Sequence, residues 1–238
     1  MLAIDAKILL TTGKLPLIET LFTPNKQTSI EGIAFSRTGL YITLLQNVKG
    51  IILRFQFDAK SGKWSSQPVP LPKNGTVSIS AASVHSETIF INYEDYITPD
   101  RLSEFDTLRD KLTLLKSLPS KFNASELEVN QHITKSADGT QVPYFLIQRK
   151  GMKADKNTPT ILYGYGGFEI SLKPSYSATI GKLWLERGGA YAVANIRGGG
   201  EFGPRWHKAA LKTKRQRAYD DFIAVAEDLI QRGITSPK

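Results

Sequence analysis

The 238-residue sequence contains no cysteine, which excludes a disulfide framework, a thiolate zinc site and a cysteine nucleophile. Three histidines, His85, His132 and His207, leave little for a metal centre, and no metal site is expected. No apolar run approaches the roughly 20 residues that span a bilayer. The N-terminus, Met-Leu-Ala-Ile-Asp-Ala-Lys, lacks the basic start and long apolar core of a signal peptide. These absences predict a soluble chain with no membrane partner. They favour the cytoplasm and leave the periplasm open if the true N-terminus lies upstream.

What is present is ordinary for a globular protein: 41% hydrophobic and 22% charged residues. The net charge of +9 is mostly scattered. One basic run stands out, Arg205, Lys208, Lys212, Lys214, Arg215 and Arg217. With no nucleic-acid-binding motif beside it, it reads as a solvated face before a helix, and no nucleic-acid partner is expected.

Along the chain, residues 1 to 118 show short apolar or alternating runs: Ile8 to Leu10, Ile33 to Phe35, Leu40 to Leu45, Gly50 to Phe57, Thr76 to Ala82, Thr88 to Tyr93 and Lys111 to Leu115. Turn residues separate them, and Phe55 to Trp64 reads as a hairpin closed by Lys-Ser-Gly. This spacing predicts an all-β region of sandwich, barrel or propeller type. A polar, turn-rich stretch, residues 119–127, is the expected hinge. Beyond it, Asp138-Gly139 marks a hairpin, Thr158 to Tyr163 and Ala190 to Ile196 read as strands, and Ser177 to Arg187 and Ala218 to Gln231 as helices. In the last helix Tyr219, Phe222, Ile223, Ala226, Leu229 and Ile230 are expected on the apolar face. Asp220 and Asp221 are expected to complement its N-terminal dipole. Alternating strands and helices predict a parallel sheet with crossover helices.

Two glycine clusters follow strands. Gly198-Gly-Gly200-Glu-Phe-Gly203 matches the spacing of a dinucleotide-binding loop. Glu201 would set a carboxylate against the pyrophosphate and Pro204 and Trp206 crowd the helix start, so a structural turn is expected, with no cofactor. The other, Tyr163-Gly-Tyr-Gly-Gly-Phe168, combines glycines with exposed-looking aromatic groups. A tyrosine hydroxyl on such a loop can donate to a developing oxyanion; alternatively the three rings merely pack the turn.

Together, Tyr163 to Phe168, Pro174-Ser-Tyr-Ser177, Leu183 to Gly189, Ala194 to Gly203, Trp206-His207 and Tyr219-Asp-Asp-Phe222 resemble the prolyl oligopeptidase family of serine peptidases. Ser136 to Tyr144 is similar to that family's entry into its catalytic domain, and Asn92 to Pro99 resembles a propeller strand. The resemblance implies part of a β-propeller, incomplete and all-β, over residues 1–118, followed by the N-terminal part of an α/β-hydrolase domain over 128–238. It implies a serine endopeptidase with a short peptide as substrate, and leaves open whether cleavage follows proline or the specificity is basic or acyl-aminoacyl. Tyr165 corresponds to the family's oxyanion-hole tyrosine and Phe168 to an aromatic wall of the proline-accepting pocket, leaving Tyr163 as a packing residue. The sequence departs from the family pattern in lacking Gly-x-Ser-x-Gly, and none of its histidines corresponds to the catalytic one. None of the catalytic triad is therefore expected here, and the chain alone is expected to be inactive. The alternative is a non-catalytic binding protein that reuses the half-fold.

Overall fold

A computed structural model describes residues 1–237. The chain opens with a two-stranded ribbon, β1 (Leu2–Ala3) with β2 (Glu19–Thr20), around helix α1 (Ala6–Thr12). Here the expected strand at Ile8 to Leu10 is overturned. Asp5 caps the helix, its carboxylate accepting from the Lys7 and Ile8 N–H groups, and Gly13 ends it with φ +68°. Local capping at both ends decides for helix over a three-residue apolar run that carries no period of its own.

Two four-stranded antiparallel sheets follow. The first is β3 (Thr28–Phe35), β4 (Leu40–Gln46), β5 (Lys49–Asp58) and β6 (Lys63–Pro68); the second is β7 (Thr76–Ala81), β8 (Thr88–Glu94), β9 (Arg101–Asp106) and β10 (Lys111–Ser117). Each is a simple meander, the form of a propeller blade. The Phe57–Trp64 cross-strand pair, ring centroids 5.3 Å apart, fixes the register of the expected hairpin. β9 was not among the expected strands, because Arg101, Glu104 and Asp106 break the apolar signal. Its inward residues Ser103 and Phe105 are buried all the same.

The third sheet has the order β11 (Leu127–Lys135), β12 (Gln141–Arg149), β14 (Ala190–Ala194), β13 (Thr160–Gly164). Parallel pairing is confined to β13 and β14; β11 and β12 run antiparallel, joined by the hairpin at Gly139, φ +82°. β12 shows how the sheet divides two cores. Val142, Tyr144 and Leu146 face the final helix, whereas Phe145 and Ile147 face the blades, the period of two expected of a strand buried on both sides.

Between β13 and β14, the expected helix over 177–187 is instead a single turn, α2 (Ala178–Ile180), running into a π-helical turn at Gly181–Leu185. Phe122 explains it. This ring, from the segment before β11, lies flat on Tyr176 and against Gly181, where any Cβ would overlap it. After β14 come α3 (Pro204–Lys208) and α4 (Gln216–Gln231). α4 buries Ala218, Asp221, Ala224, Val225 and Leu229, while Tyr219 and Ile223 are half exposed, so the expected face is corrected by roughly one residue step. Asp221 is also corrected: it lies beyond the first turn, where the dipole has faded, and is held by an ion pair.

The blades and the α/β sheet share one continuous core. Val48 and Tyr96 from the blades pack with Phe122, Leu127, Phe145, Ile147 and Val193. Polar contacts frame it: Thr76 Oγ1 donates to the Pro174 carbonyl at 2.6 Å, the Tyr176 N–H to Glu94 at 2.9 Å, and Lys173 pairs with Glu31 at 2.8 Å.

Candidate functional site

β13 and β14 lie side by side and parallel, so the two glycine clusters emerge together at the same end of the sheet. That end is where open α/β sheets place their sites. Gly164, the last residue of β13, has the Phe222 ring where a Cβ would stand, 2.9 Å from Cδ2. Only glycine lets α4 pack this close.

The loop then turns through Gly166, φ +60°, whose missing Cβ would sit 2.5 Å from Ile196 Cγ1. The Tyr165 ring lies over Gly167, and the residue is 39% exposed. Phe168 and Glu169 both adopt left-handed backbone, φ +51° and +58°, and Phe168 is 84% exposed. A phenylalanine in that conformation costs roughly 1–2 kcal/mol. An apolar ring held strained and in solvent stabilises nothing in the fold, which is the pattern of a residue kept for recognition.

Neighbouring groups pin the loop. Arg215 donates to the Gly166 carbonyl and stacks on Tyr219 at 5.3 Å. His207 Nδ1 lies 2.7 Å from the Gly198 carbonyl and 3.1 Å from the Glu169 N–H; as one nitrogen it serves one of these according to its tautomer. The basic run is therefore only partly a solvated face: Arg205, Lys208, Lys212 and Lys214 are exposed, but Arg215 is a structural clamp and Arg217 reaches the Ala209 carbonyl.

The second cluster is packed solid. A Cβ on Gly198 would overlap the Gly166 carbonyl oxygen, and one on Gly200 the Glu169 carbonyl oxygen. Its glycines serve loop-to-loop contact, in keeping with a structural turn. Behind it, buried Arg197 bonds Asp221 through Nε and Nη2 (2.9 and 2.6 Å) and Asp138 through Nη1 (2.5 Å). Hydrogen bonding from Arg197 holds the Asp138 carboxyl well below its ordinary range. Burial works against the Arg197 charge, but the two aspartates more than offset it and raise its pKa. The network ties the β11–β12 hairpin, the end of β14 and α4 behind the loop.

Of the site residues expected from sequence, Tyr165 and Phe168 stand on the same exposed loop; Tyr163, expected to pack, is 46% exposed on the outer strand. The supports Arg215, Arg197, Asp138 and Asp221 were missed. One signal was readable: an aspartate at the spacing of Ala218 and Val225 sits in an apolar stripe and demands a buried partner. Among the described residues no group of histidine and carboxylate side chains could hold a metal ion, and no helix is long and apolar enough to cross a membrane.

Two family models match this chain: the N-terminal β-propeller domain of prolyl oligopeptidase over residues 14–118, and the prolyl oligopeptidase family over residues 174–238. The chain belongs to the prolyl oligopeptidase family. An uncharacterised peptidase of Sinorhizobium fredii is 48% identical over 93% of this chain and 30% of its own length. The prolyl endopeptidase of Elizabethkingia miricola is 39% identical over 76% of this chain and 25% of its own. The solved structure of a post-proline cleaving enzyme from Rickettsia typhi superposes with a TM-score of 0.82 at 33% identity, over 99% of this chain and 34% of that one. Members of this family are serine peptidases, and the present chain spans about a third or less of the relatives it matches. The three sheets accordingly correspond to two propeller blades and part of the hydrolase domain.

Proposed function

We propose that this chain forms the oxyanion and proline-pocket side of a serine peptidase acting on short peptides, with Tyr165 and Phe168 in those two roles. The observation that carries the reading is the loop itself: an exposed phenol beside a phenylalanine in left-handed backbone, at the carboxyl end of a parallel strand and clamped by Arg215. A phenol O–H so held needs little reorganisation to donate to the negative oxygen that forms when a peptide carbonyl is attacked, a contribution on the order of 3 kcal/mol. The Phe168 ring supplies a flat apolar wall for a pyrrolidine.

Acyl transfer also needs a nucleophile and a base, and the 238 residues contain no Gly-x-Ser-x-Gly. The reading places these groups in chain outside them. The relatives named prolyl endopeptidase and post-proline cleaving enzyme support proline as the preferred residue. Two measurements test the proposal. The purified chain should neither hydrolyse a Gly-Pro amide nor take up a serine-directed phosphonate label, and either activity would overturn the assignment of roles. In a polypeptide extended to include the nucleophile, Tyr165→Phe should lower kcat roughly 10²- to 10³-fold with KM little changed; an unaltered kcat removes Tyr165 from the oxyanion hole.

A second reading, a non-catalytic peptide-binding protein, draws on the continuous core between blades and sheet. It predicts a monodisperse chain that unfolds in one transition and binds proline peptides, with the extended polypeptide still inactive.

A further inference from the structure

The most unusual polar group outside the candidate site is Glu201. It is 1% exposed, and among the described residues no cation pairs with it. Its Oε1 accepts from the Leu172 N–H at 3.0 Å and from Asn195 Nδ2 at 3.3 Å, whereas its Oε2 has no partner. Asn195, fully buried, shows the complementary defect. Its Nδ2 also donates to the Leu172 carbonyl at 2.8 Å; a carbonyl can only accept, so this contact fixes which end of the amide is nitrogen and leaves Oδ1 as an acceptor with no donor. Two buried oxygens, one on each of two side chains already joined through their other atoms, thus each lack a donor. Leaving buried polar atoms unpaired costs roughly 1–3 kcal/mol each.

We propose that Glu201 is a proton-binding site: it is carried as the neutral acid, with a proton on Oε2 donated to Asn195 Oδ1 in a cyclic acid–amide pair, and the folded state of this chain is stabilised by that proton. The pair joins the end of β14 to the loop bearing Leu172, beside the core shared with the blades. From the blade side it is faced by Tyr96, whose own hydroxyl is buried and unpartnered. The other titratable neighbours are accounted for. Tyr191 is on β14; Lys173 pairs with Glu31, Arg197 with Asp138 and Asp221, Glu169 is exposed, and His207 is engaged with the loop backbone. Burial pushes the Glu201 carboxyl up, against the lowering effect of the Leu172 N–H, its own N–H and the Asn195 amide. The proposal is independent of the peptidase reading.

The sign follows from linkage. A carboxyl whose folded pKa lies above its unfolded value of about 4.3 gives stability that is complete below that value and is lost as pH rises through the folded pKa. Urea unfolding of the 238-residue chain and of Glu201→Gln, from about pH 5 to about pH 8, isolates this site, because all other groups are common to both. Glutamine keeps the acceptor and replaces the acidic proton with an amide hydrogen, so it completes the pair at every pH. Expected is a ratio of the two unfolding constants that changes with pH, by up to about tenfold per unit within the window, with the natural chain losing ground as pH rises. A ratio constant across the range overturns the proposal. Should the variant fail to fold, infrared spectroscopy of the natural chain over the same pH range decides: a buried protonated-carboxyl carbonyl band that is present at about pH 5 and fades as pH rises supports the proposal, and its absence at about pH 5 overturns it.

Discussion

The two glycine-rich loops leave adjacent parallel strands at the same end of the sheet, yet they dispose their flanking side chains in opposite ways. After β14, residues 197–203 fill their missing side-chain space with carbonyl oxygens and carboxylates and are almost wholly buried. After β13, residues 165–168 lie against that buried loop and hold their aromatic side chains out into solvent. One loop is the platform, the other what it carries. The difference teaches that a glycine acquires meaning from what stands at its own absent Cβ: protein atoms closer than 3 Å at Gly198, Gly200 and Gly166, but at Gly167 only the Tyr165 ring at an ordinary contact distance.

The platform should be where the fold is most easily broken. Asp221→Ala leaves Arg197 with a buried, half-paired charge, and loss of about 3–5 kcal/mol is expected in urea unfolding. A loss under about 1 kcal/mol would mean that water reaches Arg197 and that the platform is looser than its burial implies. Next in size is Gly198→Ala. Residue 198 has φ +99°, and the new methyl would overlap the Gly166 carbonyl. Backbone strain and the displaced loop together are expected to cost about 2–3 kcal/mol, and the same variant should broaden the NMR signals of Tyr165 if the two loops are mechanically one.

Much of this arrangement is legible in the sequence, and the part that is not has physical causes. Alternation and Asp-Gly or Lys-Ser-Gly turns locate most strands because side-chain period and turn chemistry are local properties. The strand at Arg101–Asp106 escapes because its charges face outward while only Ser103 and Phe105 point in. The helix α1 and the glycine at 181 in the π-turn escape for a different reason: one depends on a cap outside the apolar run, the other on the contact with Phe122 from nearly 60 residues upstream. At the site, Tyr165 and Phe168 are readable as aromatic residues on a glycine turn. The clamps Arg215 and His207 are not, since a basic run looks solvated until the loop it holds is in place.

The exposed loop should respond to substitution in the opposite sense to the platform. Phe168→Gly removes a left-handed phenylalanine that costs roughly 1–2 kcal/mol, offset by the greater unfolded-state freedom of glycine, about 0.5–1 kcal/mol. A small net gain in stability, about 0.5–1 kcal/mol, is expected, accompanied by weaker binding of a proline-containing peptide in an NMR titration. Stabilisation without loss of binding would remove Phe168 from the pocket while leaving the strain explained.

Asp138 separates the two ends of the Arg197 network. Its depressed carboxyl pKa, caused first by the Arg197 hydrogen bond, gives stability that is present above the ordinary aspartate range near 3.9 and lost as pH falls toward the folded value. Because the side chain is 40% exposed, solvent screening limits the contribution to about 1 kcal/mol. Asp138→Asn should therefore flatten the acid limb of the stability profile slightly and leave the profile near neutrality almost parallel to that of the natural chain. An acid limb as steep in the variant as in the natural chain would show that Asp138 does not carry the acid dependence.

Gly167→Ala is the sharpest test of the contrast between loops because its expected effect is the smallest. Residue 167 lies between two left-handed positions but is not itself left-handed, and the added methyl would meet only the Tyr165 ring at 3.5 Å, an ordinary contact distance. Stability should change by less than about 0.5 kcal/mol. Gly198 and Gly167 are both glycines in glycine-rich turns at the same sheet edge, so a composition-based view predicts equal costs for the two alanines. The packing view predicts a difference of about 2 kcal/mol, set by whether backbone atoms or only a ring at ordinary contact distance stand where the Cβ must go. If Gly167→Ala proves as damaging as Gly198→Ala, the loop is as intolerant of a methyl at Gly167 as its neighbour is at Gly198, and the contrast between the two positions fails.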